Sequence, residues 1–483
     1  MLADSRYLIC GTAMLALSGC VAVPETGVRP VMQSADSMEA AQSLAARGNT
    51  AWPPDQWWRL AGDPQLTALI EEGLANAPQV AVALARIKRA EAEAQRVGAA
   101  RLPTVVAEAE GGFRRQSGNT GIPAQFLPDG WQDYGQVSLS FDFDLDLWGR
   151  NRAAHAAATS EARAAVVDAA QARLVLSVAI TAAYAELGRH YRERDNAEAM
   201  LANRRATRDL VAQRESNGLD NRASLRRAEA EVSLAEQELA AVNENIGMRR
   251  NQLAALVGAG PDRGLSITRP PLAPSTAAGV PAGVTTDLIG RRPDIVAARE
   301  RVEAAASKVR VARAGFFPAV NLRALIGLQA IGLGSLVDSG SQFGTAGPAI
   351  TLPIFQGETL RAQYRGAQAG YDEAVASYNQ TVVTAYQQVA DAVTQRDAAD
   401  KRLAATRAAL SANEDALNLV RTRYEAGLSS YLDVLASEVS VQNLRLAVIG
   451  LETYEHGATL ALIRALGGGF GAGASDNPET ARP

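Results

Sequence analysis

The chain has 483 residues, 47% of them apolar, and a net charge of −4. That is length for two or three domains and apolar content for a sizeable core, with no basic excess of the kind a nucleic-acid surface needs. The histidines His155, His190 and His456 are scattered, and there is no HExxH pattern, no cysteine pair beyond the first 20 residues and no phosphate-binding glycine loop, so no enzyme, metal or cofactor is expected.

In chain order, "RYLICGTAMLALSGC" comes first. It joins one basic residue, Arg6, to an apolar run too short for a membrane span, the make-up of a signal-peptide core. Small residues then precede Cys20, a pattern that resembles the bacterial lipobox, in which the cysteine is acylated and becomes the mature N-terminus. Residues 1–19 are thus expected as a signal peptide and Cys20 as the lipidation site, the covalent lipid being the only attached group. Val21, where an aspartate would retain the protein in the inner membrane, favours the outer one. Residues 20–78 are expected as a lipid-anchored N-terminal segment with an equatorial part.

Beyond this point the chain repeats itself. "PQVAVALARIKRAEAEAQRVGAARLPTV" begins at Pro78 and "PDIVAARERVEAAASKVRVARAGFFPAV" at Pro293. Gly149 is echoed by Gly357, Asn217-Gly218-Leu219 by Ala426-Gly427-Leu428, and "LAALVG" to Gly258 by "LIRALG" to Gly467, all at an offset of about 210 residues. Such ordered matches mark an internal duplication. It divides the chain into a first repeat (79–258), an equatorial linker (259–292), a second repeat (293–468) and a tail of disordered composition (469–483).

Proline is absent between Pro128 and Pro261 and between Pro353 and Pro478. An interior proline costs a helix ~3 kcal/mol, so these Ala/Glu/Gln/Arg-rich gaps predict long helices. Gly149 to Gly218 and Gly357 to Gly427 each predict one helix on the order of 100 Å. The returning helices, 219–257 and 428–466, come to about 58 Å, and those between the paired prolines to about 36 Å. Laid end to end, the two shorter helices nearly equal the long one.

A strand hairpin fits in each repeat before its long helix. In the first repeat it is predicted at 104–114 and 134–147, joined by "QSGNTGIPAQFLPDGW"; in the second, "AVNLRALIGLQ" and "FGTAGPAITLPIF" flank "AIGLGSLVDSGSQ". "VSLSFDFDLDL" alternates without a fault, Val137 to Leu147 on one side and Ser138 to Asp146 on the other, the mark of a strand with one apolar and one wet face. Strands of about 10 residues suit a tilted membrane span. Four cannot close a barrel, and an open edge is not viable in lipid, so the barrel must be shared between chains.

At "WWRLAGDPQLTALIEEGLANAP", "LDLWGRNRAA", "LIGRRPDIVAARERV" and "GPAITLPIFQG" the sequence resembles the TolC-like outer-membrane factor family, over about residues 52–468. "RRPDI", Arg291 to Ile295, points to its lipoprotein, NodT-like branch, which serves RND-type efflux pumps. The resemblance implies a mainly α-helical homotrimer with a small β part. Long coiled-coil hairpins would form a periplasmic α-helical barrel joined to a shared 12-stranded transmembrane β-barrel, four strands from each chain. The implied function is the passive exit duct of a tripartite pump, partnered by a periplasmic adaptor and an inner-membrane RND-type transporter. In that setting Asp142, Asp144 and Asp146 would line the water-filled lumen, with Arg323 facing them, either as a cation-selective ring or as hydrated wall residues.

The family's adaptor-docking tips carry over onto Asn217, Gly218, Leu219, Ala426, Gly427 and Leu428. Its periplasmic gate carries over onto Tyr431, Leu432 and Asp433 in "YLDVLASE", with Ala436 where a second aspartate often stands. Asp433 also reads as a favourable charge at a helix N-terminus. Two rival readings stand beside drug efflux: the duct of a type I protein-secretion or metal-efflux system, and a lipid-anchored periplasmic coiled-coil scaffold. Amphipathic strand hairpins, for which a scaffold has no use, argue against the second rival.

Overall fold

The computed structural model describes residues 23–24, 27, 29–44, 51–119, 121, 123–271, 280–281 and 283–471. The expected signal peptide, Cys20 and residues 472–483 lie outside the described residues. Asp63 opens α1 (Pro64–Asn76), its carboxylate accepting from the backbone N–H groups of Gln65 and Leu66 at 2.8 and 3.1 Å, and Pro64 occupies a position that needs no N–H. Then come α2 (Pro78–Ala99), β1 (Thr104–Arg114), β2 (Gln132–Asp144), α3 (Arg150–Ser216) and α4 (Arg222–Leu256). After the short α5 (Asp262–Leu265) and α6 (Val284–Arg291) the order recurs as α7 (Pro293–Ala314), β3 (Ala319–Ile331), β4 (Gln342–Thr351), α8 (Gly357–Glu425) and α9 (Tyr431–Ala465). Corresponding helices have 22 and 22, 67 and 69, and 35 and 35 residues. Two unrelated segments would have no reason to agree so closely, so the duplication read from the glycines extends to every helix of the repeat.

Compactness divides the chain differently from the repeats. One unit is built on Ile87–Ala164 and Ala298–Ser377, the other on Met32–Arg86, Ala165–Ala297 and the chain from Tyr378 onward. Each repeat therefore gives its strands and the start of its long helix to the first unit and the rest of its helical hairpin to the second, whereas the boundaries drawn at 79–258 and 293–468 kept each repeat whole. The physical reason is strand pairing: β2 of the first repeat is hydrogen-bonded to β3 of the second.

In the first unit the strands form one antiparallel sheet in the order β1-β2-β3-β4. A small core of Val309, Phe316, Leu360 and Tyr364 accompanies it, the Phe316 and Tyr364 rings meeting edge to face at 5.9 Å. In the second unit Leu69 and Ile70 of α1 pack with Leu176, Ile180 and Leu187 of α3 and Leu253 of α4, all at or below 1% exposure. Each such side chain contributes about 1.5–3 kcal/mol on burial.

"RRPDI" has a structural role in the second unit. The Arg292 guanidinium is 6% exposed and forks onto Asp294 at 3.0 and 2.5 Å. It also donates to the carbonyl of Ala465 at 3.0 Å and to Gln388 at 2.9 Å. Ala465 is the last residue of α9, so Arg292 satisfies a carbonyl that the helix end leaves without a partner. Gly467 follows with φ 89°, and a Cβ there would lie 2.0 Å from the Arg291 carbonyl oxygen. The first repeat builds the same joint: at Gly258, φ 80°, a Cβ would lie 2.6 Å from the Asn76 carbonyl oxygen.

Gly467→Ala and Gly258→Ala are expected to destabilise the protein by more than the ~1–2 kcal/mol that left-handed backbone costs an L-residue, because each adds a backbone clash. Thermal melts of the two variants check this, with Gly427→Ala, where a Cβ meets nothing within 4 Å, as the strain-only comparison.

Candidate functional site

The register of the sheet sorts its side chains onto two faces. Leu139 stands opposite Ala107 and Ile326, Phe141 opposite Val105 and Ala324, and Phe143 opposite Leu322, so these share one face with Pro348 and Ile350 of β4. That face is apolar apart from Asp133 and Gln342 towards the hairpin end, and Val105, Val137, Leu139, Leu322, Ile326 and Ile350 are all exposed in the single chain. The opposite face carries Glu108, Glu110, Ser138, Ser140, Asp142, Asp144, Asn321, Arg323 and Thr345, broken by Val106, Leu325, Ile331 and Phe343. Aromatic residues flank the sheet at both ends. Phe113, Phe126 and Trp131 are exposed at the hairpin end; at the other, Trp148 stacks on Phe317 at 4.7 Å and donates to the Pro318 carbonyl, and Phe355 is fully exposed. An apolar band between two aromatic girdles is the pattern of a membrane-spanning strand array.

The three aspartates of the alternating stretch do not act alike. Asp142 faces Arg323 across the strands, with Arg323 Nε donating at 2.7 Å and Asn321 Nδ2 at 3.2 Å. Asp144 accepts from Asn151 Nδ2 at 3.0 Å and from the backbone N–H of Asp146. Asp146 lies beyond the strand, which ends three residues before the alternation does. Its backbone takes φ 47°, and its carboxylate accepts from the N–H groups of Asn151 and Arg152 at 2.8 and 2.9 Å. Asp146, expected to line the lumen with the other two, thus also holds the first turn of α3, where unpaired N–H groups favour an anion. Glu108 and Glu110 share the polar face with Asp142 and were missed, although "VVAEAEGG" alternates as plainly.

The two helical hairpins turn alike. After α3, Gly218 takes φ 71° and Leu219 N–H donates to the Arg214 carbonyl at 2.8 Å; after α8, Gly427 takes φ 77° and Leu428 N–H donates to Arg423 at 2.8 Å. This is the helix-ending bond that a left-handed glycine permits. All six tip residues, Asn217, Gly218, Leu219, Ala426, Gly427 and Leu428, are exposed, and each tip presents one bare leucine. Tyr424 Oη donates to Asp220 at 2.9 Å and so joins the two tips. Burial and this bond push the Tyr424 phenol up to about 12. For Asp220, partial burial pushes upward, but hydrogen bonds from Asn221, Ser224 and Tyr424 outweigh it and its carboxyl sits below the usual range.

Of the expected gate residues, Leu432 and Asp433 are exposed, whereas Tyr431 is 4% exposed and packs with Tyr424, Val211 and Val434. Tyr431 therefore belongs to the core of the tips within one chain. Asp433 forms a capping box at the start of α9: it accepts from Ser430 N–H and Oγ, both at 2.9 Å, while Ser430 Oγ accepts from Asp433 N–H at 3.3 Å. These bonds hold its carboxyl below the ordinary value.

One turn beyond Val434 lies a feature the sequence reading did not find. Glu438, 2% exposed, accepts from Arg204 Nη1 at 2.6 Å, Arg421 Nη2 at 2.7 Å and Thr207 at 3.3 Å, and Arg204 also approaches Glu231 at 3.7 Å. One buried carboxylate thus ties together α3, α8 and α9, with α4 one step away. Seven residues along, Arg445 pairs with Glu414 at 2.5 Å; seven further, Glu452 pairs with Arg407 at 2.6 Å and Arg192 at 2.5 Å. The charges alternate in sign every heptad on both helices, and that spacing was the available signal. Among the described residues no group of three or more His, Cys, Asp or Glu is placed to hold a metal.

The sequence model of the family described as "Outer membrane efflux protein" matches residues 69–259 and 284–468. The fusaric acid resistance protein FusA of Burkholderia cepacia is 33% identical over 376 residues, 74% of this chain and 68% of that protein. The multidrug resistance outer membrane protein MdtP of Escherichia coli (strain K12) is 29% identical over 493 residues, 97% and 98% of the two chains. Among solved structures, the outer membrane protein VceC of Vibrio cholerae superposes with a TM-score of 0.82 at 42% identity, covering 87% of this chain and 100% of that one.

Glu438→Ala is expected to destabilise the helical hairpins by about 3–5 kcal/mol, since it strands the buried Arg204 charge. A Glu438→Leu/Arg204→Leu double variant that melts well above the single one checks that the cost is the orphaned charge. The tip bond has its own pH window. Asp220, whose pKa is lowered on folding, stabilises above the ordinary carboxylate value of about 4. Tyr424, whose pKa is raised, stabilises below the ordinary phenol value of about 10 and loses that contribution as pH rises through about 12. Amide protection at the tips, the exchange rate corrected for its intrinsic rise with pH, is expected to stay flat between those limits and to fall outside them, with Tyr424→Phe abolishing the alkaline arm.

Proposed function

This chain belongs to the outer membrane efflux protein family, and from that premise we propose that it is the exit duct of a tripartite RND-type pump for drugs or other small toxic compounds. The observation that carries the reading is the two-faced sheet with two unpaired edges, in a chain that also builds helical hairpins of 67 and 69 residues. Three copies supply 12 strands, and the apolar face then meets lipid while Glu108, Glu110, Asp142 and Asp144 meet the lumen. The Arg323–Asp142 pair lowers the net charge of that lumen, so it acts as a hydrated wall with a mild preference for cations.

The helical hairpins extend into the periplasm, and Leu219 and Leu428 are the apolar knobs that an adaptor's tips would cover. Leu432 and Asp433, exposed beside the second tip, form the constriction, and Tyr431 supports them from inside the protomer. Cys20 carries the lipid. The duct does no chemistry of its own: the energy comes from the inner-membrane transporter.

Loss of the gene, in a strain without another such channel, is expected to raise susceptibility to lipophilic drugs several-fold. Restoration by the wild-type chain, and failure by a Leu219→Asp/Leu428→Asp variant that still forms trimers in the outer membrane, would tie the effect to docking. In planar bilayers Asp433→Ala is expected to raise the closed-state conductance; unchanged conductance in a folded trimer would leave Asp433 a helix cap and nothing more.

A further inference from the structure

The apolar interruptions of the sheet's polar face are not scattered. Val106, Leu325 and Phe343 fall in two adjacent rows across the strands, Val106–Ser140–Leu325–Thr345 and Glu108–Ser138–Gly327–Phe343. Leu325 stands diagonally to Phe343 across β3 and β4, within reach of its ring. An aromatic side chain carries on the order of 150–250 Å² of surface to bury, and a wall facing water is a poor place for it. Its own chain supports the ring from below only. Phe343 lies over Gly327, where a Cβ would stand 2.9 Å from its Cε1, and it stays half-buried there.

The free charge at this height has one sign. Asp142 is neutralised by Arg323. Glu108 is exposed and has no ion pair among the described residues; Glu110, exposed as well, accepts from Tyr134 Oη at 2.5 Å. Arg114 stacks on the Tyr134 ring at 4.8 Å, with its strand position three rows from Glu108. Within one chain Glu108 and Phe343 are three strand spacings apart, about 14 Å. Closure of the shared 12-stranded barrel brings such groups together. Because the order β1-β2-β3-β4 holds in every copy, β4 of one chain lies beside β1 of the next, one spacing of about 5 Å away. Each Phe343 therefore borders a strand of the neighbouring copy that carries Val106, Glu108 and Glu110 on the same face. Twelve strands enclose more space than the eight that side chains can fill, so a solute has room to touch this wall without plugging the duct.

We infer that the seam between β4 of one copy and β1 of the next binds amphipathic aromatic cations on the lumen wall, their rings against Phe343, Leu325 and Val106 and their charge on Glu108 and Glu110. A neutral aromatic gains only the first of these contacts and a small alkylammonium ion only the second. The inference rests on the duct reading, which puts this face in a lumen, and adds to it a class of compound and the place where that compound is met.

The experiment titrates ethidium, a planar aromatic cation, into full-length trimers in phosphatidylcholine nanodiscs. Fluorescence anisotropy is read against empty nanodiscs, and the conductance of the same trimers is measured in planar bilayers. Saturable binding at one site per chain is expected, displaced by tetraphenylphosphonium and not by tetramethylammonium. Phe343→Ala and the double variant Glu108→Gln/Glu110→Gln are each expected to weaken it about fivefold, the value of one aromatic contact or of a charge pair at a wet surface. Phe343→Leu keeps apolar bulk over Gly327 without the ring and is expected to weaken binding too; wild-type affinity in that variant would make Phe343 a filler of the wall and overturn the inference. Conducting trimers that show no saturable binding overturn it and leave the duct standing, whereas trimers that never conduct overturn the duct and the seam site with it. Binding that survives both Phe343→Ala and the double glutamine variant lies elsewhere and also overturns it. Displacement by tetramethylammonium as readily as by tetraphenylphosphonium overturns the assignment of an aromatic cation.

Discussion

The edges of the sheet constrain everything else. β1 and β4 each pair on one side only, and in hydrocarbon every unpaired N–H or C=O costs several kcal/mol. The apolar face cannot be left in water, nor the edges in lipid, so the sheet is stable only when copies of the chain close it into a ring. A shared barrel in turn fixes the copies' arrangement at one end. The pairing of β2 with β3 joins the two halves of the duplicated chain in one sheet, and so the compact units cut across the repeats.

A helix on the order of 100 Å that must hold its register over its whole length needs more than apolar packing, which tolerates a slip of one heptad. The heptad ladder along α8 and α9 meets that need, because a slip puts like charges opposite one another. Exposed rungs such as Arg445–Glu414 are worth little each. Glu438 differs, being sealed from water with charged donors from two other helices. Buried ion networks commonly gain little over apolar packing, and their better-attested use is to specify one arrangement. Here that arrangement sits next to the segment from Tyr431 to Asp433, whose position would then be set from within the protomer.

The sequence made the large features legible because they rest on patterns of backbone and polarity. Proline-free gaps marked the long helices, period-two alternation marked the strand, and glycines at a constant offset marked the duplication. What stayed hidden depended on which side chains meet. Nothing in "FDFDLDLWG" distinguishes Asp142, which pairs across the sheet, from Asp146, which turns back onto a helix. Tyr431 stands next to Leu432 in sequence but packs inward. The core of the second unit joins Trp57 to Ile463, about 400 residues apart, and no local pattern connects them.

The duplication also left a problem that the charges resolve. Helices of nearly equal length invite the face of α3 that meets α4 to take α9 instead, or the face of α8 that meets α9 to take α4, beside the contact that α3 and α9 already make through Arg204 and Glu438. At equivalent places in the two hairpins stand Arg205 with Glu236, at 2.7 Å, and Glu414 with Arg445, at 2.5 Å. The position of the pair is preserved and its sign is reversed. Swapping partners would therefore set Arg205 against Arg445 and Glu236 against Glu414. Each native pair is worth only ~0–1 kcal/mol, but the exchanged arrangement replaces two attractions by two repulsions, so the difference exceeds either bond taken alone. Helix lengths left nearly alike by duplication cannot make that distinction, and a sign reversal makes it without changing the length or packing of either hairpin.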